Sequence, residues 1–248
     1  MAGFKKGKET CERFIAYFDI MGFKDRVYRD YHDDILEMME TLQQEVELIR
    51  TAGELAVTYE SLSVDGSFKD VAPTLKILPV FFSDSIILAS EDDSNDCAMG
   101  IVTLSARLLK EALSSGIPLK GAVSFGRQTA DFDKSIHFGR PLVDAYILAE
   151  ELQFYGVVLH HSMEGYLKQH GLIRPMVDIN TLYECKVPFK GYTVNHYCLN
   201  WTKAFKGDSA KPKEILSQLY DTVSGSTRHY VDNTMDFVRA VEANKTKK

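Results

Sequence analysis

Two carboxylates in this chain stand where carboxylates are seldom found. Asp19 closes the apolar run Arg13-Phe14-Ile15-Ala16-Tyr17-Phe18 and is followed by Ile20-Met21-Gly22-Phe23. Asp84 sits inside a second apolar run, between Val80-Phe81-Phe82-Ser83 and Ser85-Ile86-Ile87-Leu88. Acidic side chains are rarely embedded in apolar segments unless they are paired or bound to a metal. Asp19 lies where a strand pattern gives way to a helical one. It therefore falls at a strand's C-terminal end, where open sheets place ligands. Two such carboxylates could hold a divalent ion over a triphosphate. Gly22 and Phe23 then open a helix whose N–H groups can receive phosphate oxygens. Taken without any further motif, Asp19 reads as a helix N-cap and Asp84 as a turn residue.

The elements that must position these groups follow an α/β order. Residues 12–20 read as a strand. Residues 23–51 place Val27, Tyr31, Ile35, Met38, Met39, Leu42, Val46 and Ile49 at helical spacing, which predicts one long amphipathic helix ending near Gly53. Residues 55–63 alternate like a strand and Asp65-Gly66 marks a turn. Residues 74–82 and 84–90 are strand material around Ser83-Asp84, in the form of a hairpin with the carboxylate near its bend. A helix is expected over 94–115, capped by Ser94 or Asn95 and stopped at Gly116. Residues 118–126 form a strand, followed by a loop rich in Asp and Arg. A helix starts after Gly139, with Pro141 in its first turn, and runs to about Gln153. Strands at 156–161 and 183–201 flank a helix at 162–170. The tail from Lys213 to Ala243 reads as helical with a break at Gly225.

Composition narrows the class. The 248 residues suit one large domain or a domain with an appendage, and 45% are apolar, enough for a sizeable core. The net charge of −6, with no basic face in view, argues against nucleic acid as partner. The four cysteines, Cys11, Cys97, Cys185 and Cys198, have no metal-ligand spacing and read as reduced core thiols of a cytoplasmic protein. The charged start lacks the apolar centre of a signal peptide. No apolar run reaches about 18 residues, so no membrane span is expected. His160 and His161 fall in the strand reading, which would point them to opposite faces and deny them a shared metal. His196 and His229 have no partners at ligand spacing. The phosphate-binding Gly-x-x-x-x-Gly-Lys-Ser/Thr loop and the Gly-x-Ser-x-Gly elbow are both absent.

The order strand, helix, strand pair, helix, strand is that of a ferredoxin-like palm. Within it, Tyr17-Phe18-Asp19-Ile20-Met21-Gly22-Phe23 resembles the first metal motif of class III nucleotidyl cyclases, Phe-x-Asp-Ile-x-Gly-Phe. Phe82-Ser83-Asp84-Ser85-Ile86-Ile87-Leu88 is similar to their second, with Ser83 in place of a glycine. Leu119-Lys120-Gly121-Ala122-Val123-Ser124-Phe125-Gly126 resembles their Arg-x-Gly-Ile-x-x-Gly strand. Phe138-Gly139-Arg140-Pro141-Leu142-Val143-Asp144-Ala145-Tyr146 resembles their Gly-x-x-Val-Asn-x-Ala helix start. Val187-Pro188-Phe189-Lys190-Gly191-Tyr192 resembles their Val-Lys-Gly segment. The five motifs run in order across roughly residues 13–200. The likeness is strongest to the pyrimidine cyclases of bacterial Pycsar anti-phage systems.

That resemblance implies a specific reaction. The ribose 3′-hydroxyl of a nucleoside triphosphate attacks the α-phosphorus and expels pyrophosphate, a phosphoryl transfer governed by positioning and charge neutralisation. Asp19 and Asp84 would bridge two Mg²⁺ or Mn²⁺ ions, with the Ile20 carbonyl completing one shell. Lys190 would be a transition-state cation. The family's second cation, an Arg, falls here on Leu148, so Arg140, Arg127 or Lys120 would take that role. Asp144 stands where the family has Asn and would either contact the ribose or simply solvate the helix start. The family's adenine-reading Lys falls on Val80, next to Phe81 and Phe82. An apolar, aromatic pocket suits stacking on a pyrimidine, with Tyr59 and Tyr17 as further stacking residues. The expected substrate is UTP or CTP and the product cyclic UMP or cyclic CMP, a diffusible messenger to a separate effector in anti-phage defence. Alternatives are an adenylate or guanylate cyclase, or a catalytically inactive nucleotide-binding module. The expected architecture is an α/β (α+β) palm over residues 1–205 with a helical extension over 206–248. It would act as a head-to-tail homodimer with composite sites.

Overall fold

The computed structural model describes residues 10–51, 77–131, 134–205 and 208–245. The strand expected at 55–63, the turn at Asp65-Gly66 and Tyr59 lie outside the described residues. The first described strand, β1 (Thr10–Ile20), is buried along most of its length. Its unbroken apolar run follows, because both of its faces are covered. It lies between β3 (Ser85–Ser90) and β4 (Leu119–Asp131), antiparallel to both. β3 pairs in turn with the edge strand β2 (Ile77–Phe82). The order β2-β3-β1-β4 is the ferredoxin-like arrangement expected from the chain order. β5 (Ile136–Gly139) folds back on β4. β6 (Val157–Leu159) lies parallel to β4, and β8 (Tyr192–Leu199) and β7 (Leu182–Phe189) complete the sheet.

Helices cover both faces. After β1 come α1 (Phe23–Arg29) and α2 (His32–Thr51). α3 (Asn95–Ser114) packs on one sheet face and starts at Ser94, whose Oγ accepts from the Cys97 N–H at 3.2 Å. This is an N-cap that satisfies one otherwise unpaired donor. α4 (Arg140–Glu151) lies on the opposite face, with Ser124 of β4 donating its hydroxyl to the Pro141 carbonyl at 2.6 Å. α5 (His161–Gln169) and the short α6 (Ile173–Asp178) lead into the β7–β8 hairpin. α7 (Ala210–Thr222) and α8 (Arg228–Lys245) end the described chain, separated by a short 3₁₀ turn at 225–227. Leu216, Val231, Phe237 and Val238 belong to the same hydrophobic cluster as Phe14 and Leu108. α8 is tied in by polar contacts as well: Thr234 Oγ1 accepts from the Tyr155 N–H at 2.8 Å, and Asn233 donates to the Gln153 carbonyl at 2.7 Å.

The structure departs from the sequence expectations in four places. The single helix over 23–51 is two helices: Asp30 takes an extended conformation, and its N–H turns back to the Arg26 carbonyl at 2.7 Å. The strand over 118–126 continues to Asp131, because β5, read as loop, supplies a partner for its second half. Residues 183–201 are two strands joined by a turn at Lys190-Gly191. Strand β6 stops at Leu159, and His160 caps α5 by accepting from the Ser162 N–H at its Nδ1. His160 and His161 therefore do not point to opposite faces; their rings lie 4.0 Å apart. All four cysteines are free thiols, Cys97 and Cys198 buried, Cys11 and Cys185 half-buried.

Candidate active site at the end of the first strand

The site is built from three strand ends. Asp19 is the penultimate residue of β1 and stands directly opposite Ser85 on one neighbouring strand and Lys120 on the other. Asp84 is the second residue of the two-residue turn between β2 and β3. The Ile20 N–H donates to the Asp84 carbonyl at 2.8 Å, and this bond draws the turn onto the end of β1. The first turn residue, Ser83, has φ 55°. A tight two-residue hairpin of the II′ kind asks for positive φ there, a conformation that normally selects glycine. On the far side, the Met21 N–H donates to the Pro118 carbonyl at 2.9 Å, after which Gly22 at φ 74° turns the chain into α1. Gly121 is required by proximity: a Cβ there would lie 2.5 Å from the Tyr17 carbonyl oxygen. Its absence lets β4 pass close to β1 and brings Lys120 beside Asp19.

The charges at this end are not independent. The Lys120 side chain is only 4% exposed, and its Nζ lies 3.5 Å from Asp19 Oδ2 and 3.8 Å from Glu150 Oε1. The same ammonium lies 3.4 Å from the Glu150 carbonyl oxygen. Burial raises the Asp19 carboxyl above its ordinary 3.8; the Lys120 ammonium opposes that shift, while Glu150 and Asp84 add to it. Tyr17, two residues earlier on the same face, shares a hydrogen bond of 2.9 Å with Ser85 Oγ. Its phenol is pushed up to about 12 by burial, with the carboxylates of Asp19, Asp84 and Glu150 adding to the effect. Its ring meets Tyr146 of α4 edge to face at 5.4 Å.

Other residues singled out in the sequence are placed as follows. Val80 is half-buried on β2 opposite Ile87, and Phe82 is 75% exposed beside the turn. Both belong to the sheet face that carries Tyr17 and Asp19, by the strand register. Phe23 is packed against the core and Gly22 is exposed. Lys190 is exposed in the β7–β8 turn, its N–H donating to the Glu151 carbonyl at 2.9 Å. Arg140 and Asp144 pair with each other at 3.4 Å in the first turn of α4, and Asp144 lies 3.9 Å from His160 Nδ1. Along α4, Arg140 lies about 15 Å and Asp144 about 9 Å from Glu150 at the rise of a helix. Arg127 lines a hollow with Thr10 and Glu12 at the opposite end of β1. Leu148 is half-buried against the core. Within one chain, then, Asp19, Asp84 and Lys120 come together, while Arg140, Asp144 and Arg127 do not join them.

Two groups escape a reading by motif. Glu150 is the third carboxylate of the cluster, and Tyr230 of α8 has its phenol raised by burial, with Asp19 and Glu150 adding to the shift. A lysine in a buried strand demands an acidic partner, so Lys120 was the available signal for Glu150. Nothing in the sequence around Tyr230 points to Asp19. The donor set suits a hard divalent cation, being carboxylate and backbone oxygen with no thiol or imidazole. Among the described residues no three His, Cys, Asp or Glu side chains gather as a ready metal cluster. An ion held by Asp19, Asp84 and the Ile20 carbonyl would draw its remaining ligands from substrate oxygens and water, as Mg²⁺ commonly does.

Comparison with solved structures places the fold. The guanylyl cyclase domain of the RhoGC fusion protein from the aquatic fungus Blastocladiella emersonii superposes with a TM-score of 0.54 at 12% identity, over 79% of this chain and 98% of that one. The catalytic core of a rhodopsin-guanylyl cyclase with converted specificity, in complex with ATPαS, matches with the same score, identity and coverage. The chain thus has the palm fold of class III cyclase catalytic domains. No protein-family model matches it, and no curated protein is similar in sequence.

Proposed function

We propose that this chain is a nucleotidyl cyclase that converts a pyrimidine nucleoside triphosphate, UTP or CTP, to its 3′,5′-cyclic monophosphate and pyrophosphate. The observation that carries the reading is the junction of Asp19 and Asp84, held together on a cyclase palm by the 2.8 Å bond from the Ile20 N–H to the Asp84 carbonyl. Mg²⁺ or Mn²⁺ held there would offset phosphate charge and lower the pKa of the attacking 3′-hydroxyl. The chain's own residues do the rest. The register of β1 on β3 and β4 fixes where the two carboxylates stand, so positioning is set before substrate arrives. The turn at Gly22 offers backbone N–H groups to the phosphates. Lys120 contributes positive charge next to the reacting groups, and Lys190 presents a second cation from a hairpin turn, free to reach a neighbouring subunit.

Base choice rests on what lines the sheet face beside Asp19. Val80, Ile87, Tyr17 and Phe82 form an apolar and aromatic surface with no amine to read a purine. Such a surface favours stacking of a small base. The bound ATPαS of the solved cyclase core keeps a purine substrate as the second reading. A homodimer is part of the proposal. α4 exposes Val143, Tyr146 and Ile147 at helical spacing on one side, with Tyr192 and Val194 of β8 alongside. Contiguous apolar surface of this kind marks an interface. The product would act as a messenger read by a separate effector in anti-phage defence, with the enzyme in the cytoplasm. No helix among the described residues is long and apolar enough to cross a membrane.

The test is incubation of the purified protein with each of ATP, GTP, CTP and UTP plus Mn²⁺, with products identified by mass spectrometry. A cyclic pyrimidine product that disappears in Asp84→Ala is the expected result. A cyclic purine would keep the reaction and overturn the base choice. No product from any nucleotide, with wild type and Asp19→Ala alike, would leave an inactive nucleotide-binding module.

A further inference from the structure

The environment of Lys120 carries a consequence for how the site takes up an ion. Its ammonium is almost wholly buried, yet none of its three oxygen neighbours is close. The distances of 3.4 Å to the Glu150 carbonyl, 3.5 Å to Asp19 and 3.8 Å to Glu150 Oε1 all exceed the ~2.8 Å of a tight charge-assisted bond. A buried charge held this loosely is shared between partners rather than locked to one. Lys120 stands directly opposite Asp19 across the β1–β4 ladder, so its stem is fixed and only the tip can shift. Asp19 is largely buried, while the Glu150 side chain is 40% exposed. The two carboxylates therefore differ: one is the desolvated group that needs a cation, the other a hydrated group at the rim with freedom to move.

We propose that the Lys120 ammonium is the resident cation of the Asp19 cradle, which a divalent ion must displace, and that Glu150 is the positioning residue that receives the ammonium when it moves. The proposal rests on the cyclase reading, because that reading places the ions at Asp19 and Asp84. Without an ion, the ammonium keeps Asp19, Asp84 and Glu150 from confronting one another as three uncompensated carboxylates, an arrangement like-charge repulsion would open. With an ion beside Asp19, the same ammonium becomes a repelling neighbour. Its nearest escape is the short step from between Asp19 and Glu150 to Glu150 alone. The site is thereby tuned to hold a free ion weakly. Lys120 and Glu150 set that affinity without either one being a metal ligand.

The experiment is a titration of Mn²⁺ into nucleotide-free protein, read by loss of the free-ion electron paramagnetic resonance signal, with no turnover involved. Wild type, Lys120→Met, Lys120→Gln, Glu150→Gln, Asp19→Ala and the double variant Lys120→Met/Glu150→Gln are compared, each checked by thermal melting. Lys120→Met is expected to bind Mn²⁺ at least about tenfold tighter than wild type, because a unit charge some 4 Å from an ion in a half-buried site outweighs that factor. Lys120→Gln should move the same way, and keeps the test decisive if the Met variant folds poorly. Glu150→Gln should weaken binding several-fold, and that loss should shrink once Lys120 is gone, as coupling through Lys120 requires. Asp19-dependent binding of equal strength in wild type and both Lys120 variants overturns the proposal alone. A Glu150 effect of the same size with and without Lys120 overturns the part assigned to Glu150. No saturable binding in any variant, the Lys120 variants included, overturns this proposal, while metal-dependent turnover in the nucleotide assay decides the cyclase reading separately.

Discussion

At the scale of single residues, the site carries costs that removal of function would relieve. Ser83 holds φ 55° where the resemblance leads one to expect glycine. A left-handed conformation costs a side-chain-bearing residue about 1–2 kcal/mol, against roughly 0.5–1 kcal/mol for the flexibility a glycine adds to the unfolded chain. Ser83→Gly is therefore expected to stabilise by about 0.5–1 kcal/mol, seen as a melting point higher by about 2 °C. A lower melting point would show that the hydroxyl makes a compensating contact. Asp19 gives a pH dependence of definite sign. Its folded-state pKa is raised, chiefly by burial, so ionised Asp19 opposes folding at neutral pH. That penalty fades as pH falls through the raised folded value and is gone below the ordinary 3.8. Asp19→Asn should thus be inactive yet melt higher than wild type at pH 7, with the gap closing by about pH 4. A variant melting lower at pH 7 would mean that the Lys120 pairing outweighs the burial. Residues such as Asp19 and Asp84 were legible in the sequence because carboxylates inside apolar runs are conspicuous. Glu150 was not, since a glutamate on an amphipathic helix looks like any solvated charge until the strand register sets Lys120 below it.

At the scale of elements, the two ends of the hairpin-and-helix frame make opposite demands. The β7–β8 turn exposes Lys190 and its side chain packs against nothing named in the core. Lys190→Ala is expected to leave stability within about 0.5 kcal/mol of wild type and to lower turnover by about 100-fold, the scale of removing one charge-stabilising donor. Unchanged turnover would remove this hairpin from the reaction. Thr234 of α8 is the reverse case. It is fully buried and accepts from the Tyr155 N–H. Thr234→Val keeps the shape but strands that donor, at a cost of about 1–3 kcal/mol, measurable as a shift in denaturant midpoint at unchanged slope. The βαββαβ order, the N-cap at Ser94 and the break near Gly225 followed directly from local pattern. The division of the helix at Asp30 did not, because apolar spacing continues across it. Strand β5 did not either, since four residues with Asp and Lys before them carry too little periodicity to outvote a loop.

At the scale of the whole molecule, the apolar residues exposed around α4 decide whether a single chain is the working unit. Ile147 is 52% exposed and Val143 likewise. Ile147→Asp is expected to melt close to wild type as an isolated chain but to abolish dimerisation and turnover together, by light scattering coupled to size exclusion and by the nucleotide assay. A variant that is monomeric and fully active would show that one chain completes its own site. This level was the least legible. Motifs name residues, but the separation along α4 of Arg140, at its first residue, from Glu150 beside Lys120 exists only once the helix is laid across the sheet.

The attachment of α8 also bears on the order of events as the chain is made. The strand ends that form the site are all in place by Leu199, yet the floor beneath them, where Tyr155 and Gln153 take their partners, is closed by residues after Thr227. A nascent chain extended only that far carries every charged group of the cluster and still lacks Val231, Phe237, Val238 and Val241 from its core. The contacts that close this floor join segments some 80 residues apart, and the β1–β4 pairing beside Asp19 joins segments about 100 apart, a topology of non-local contacts that folds slowly. The frame around the charged cluster thus depends on a segment that lies far along the sequence from the strands that carry the charges.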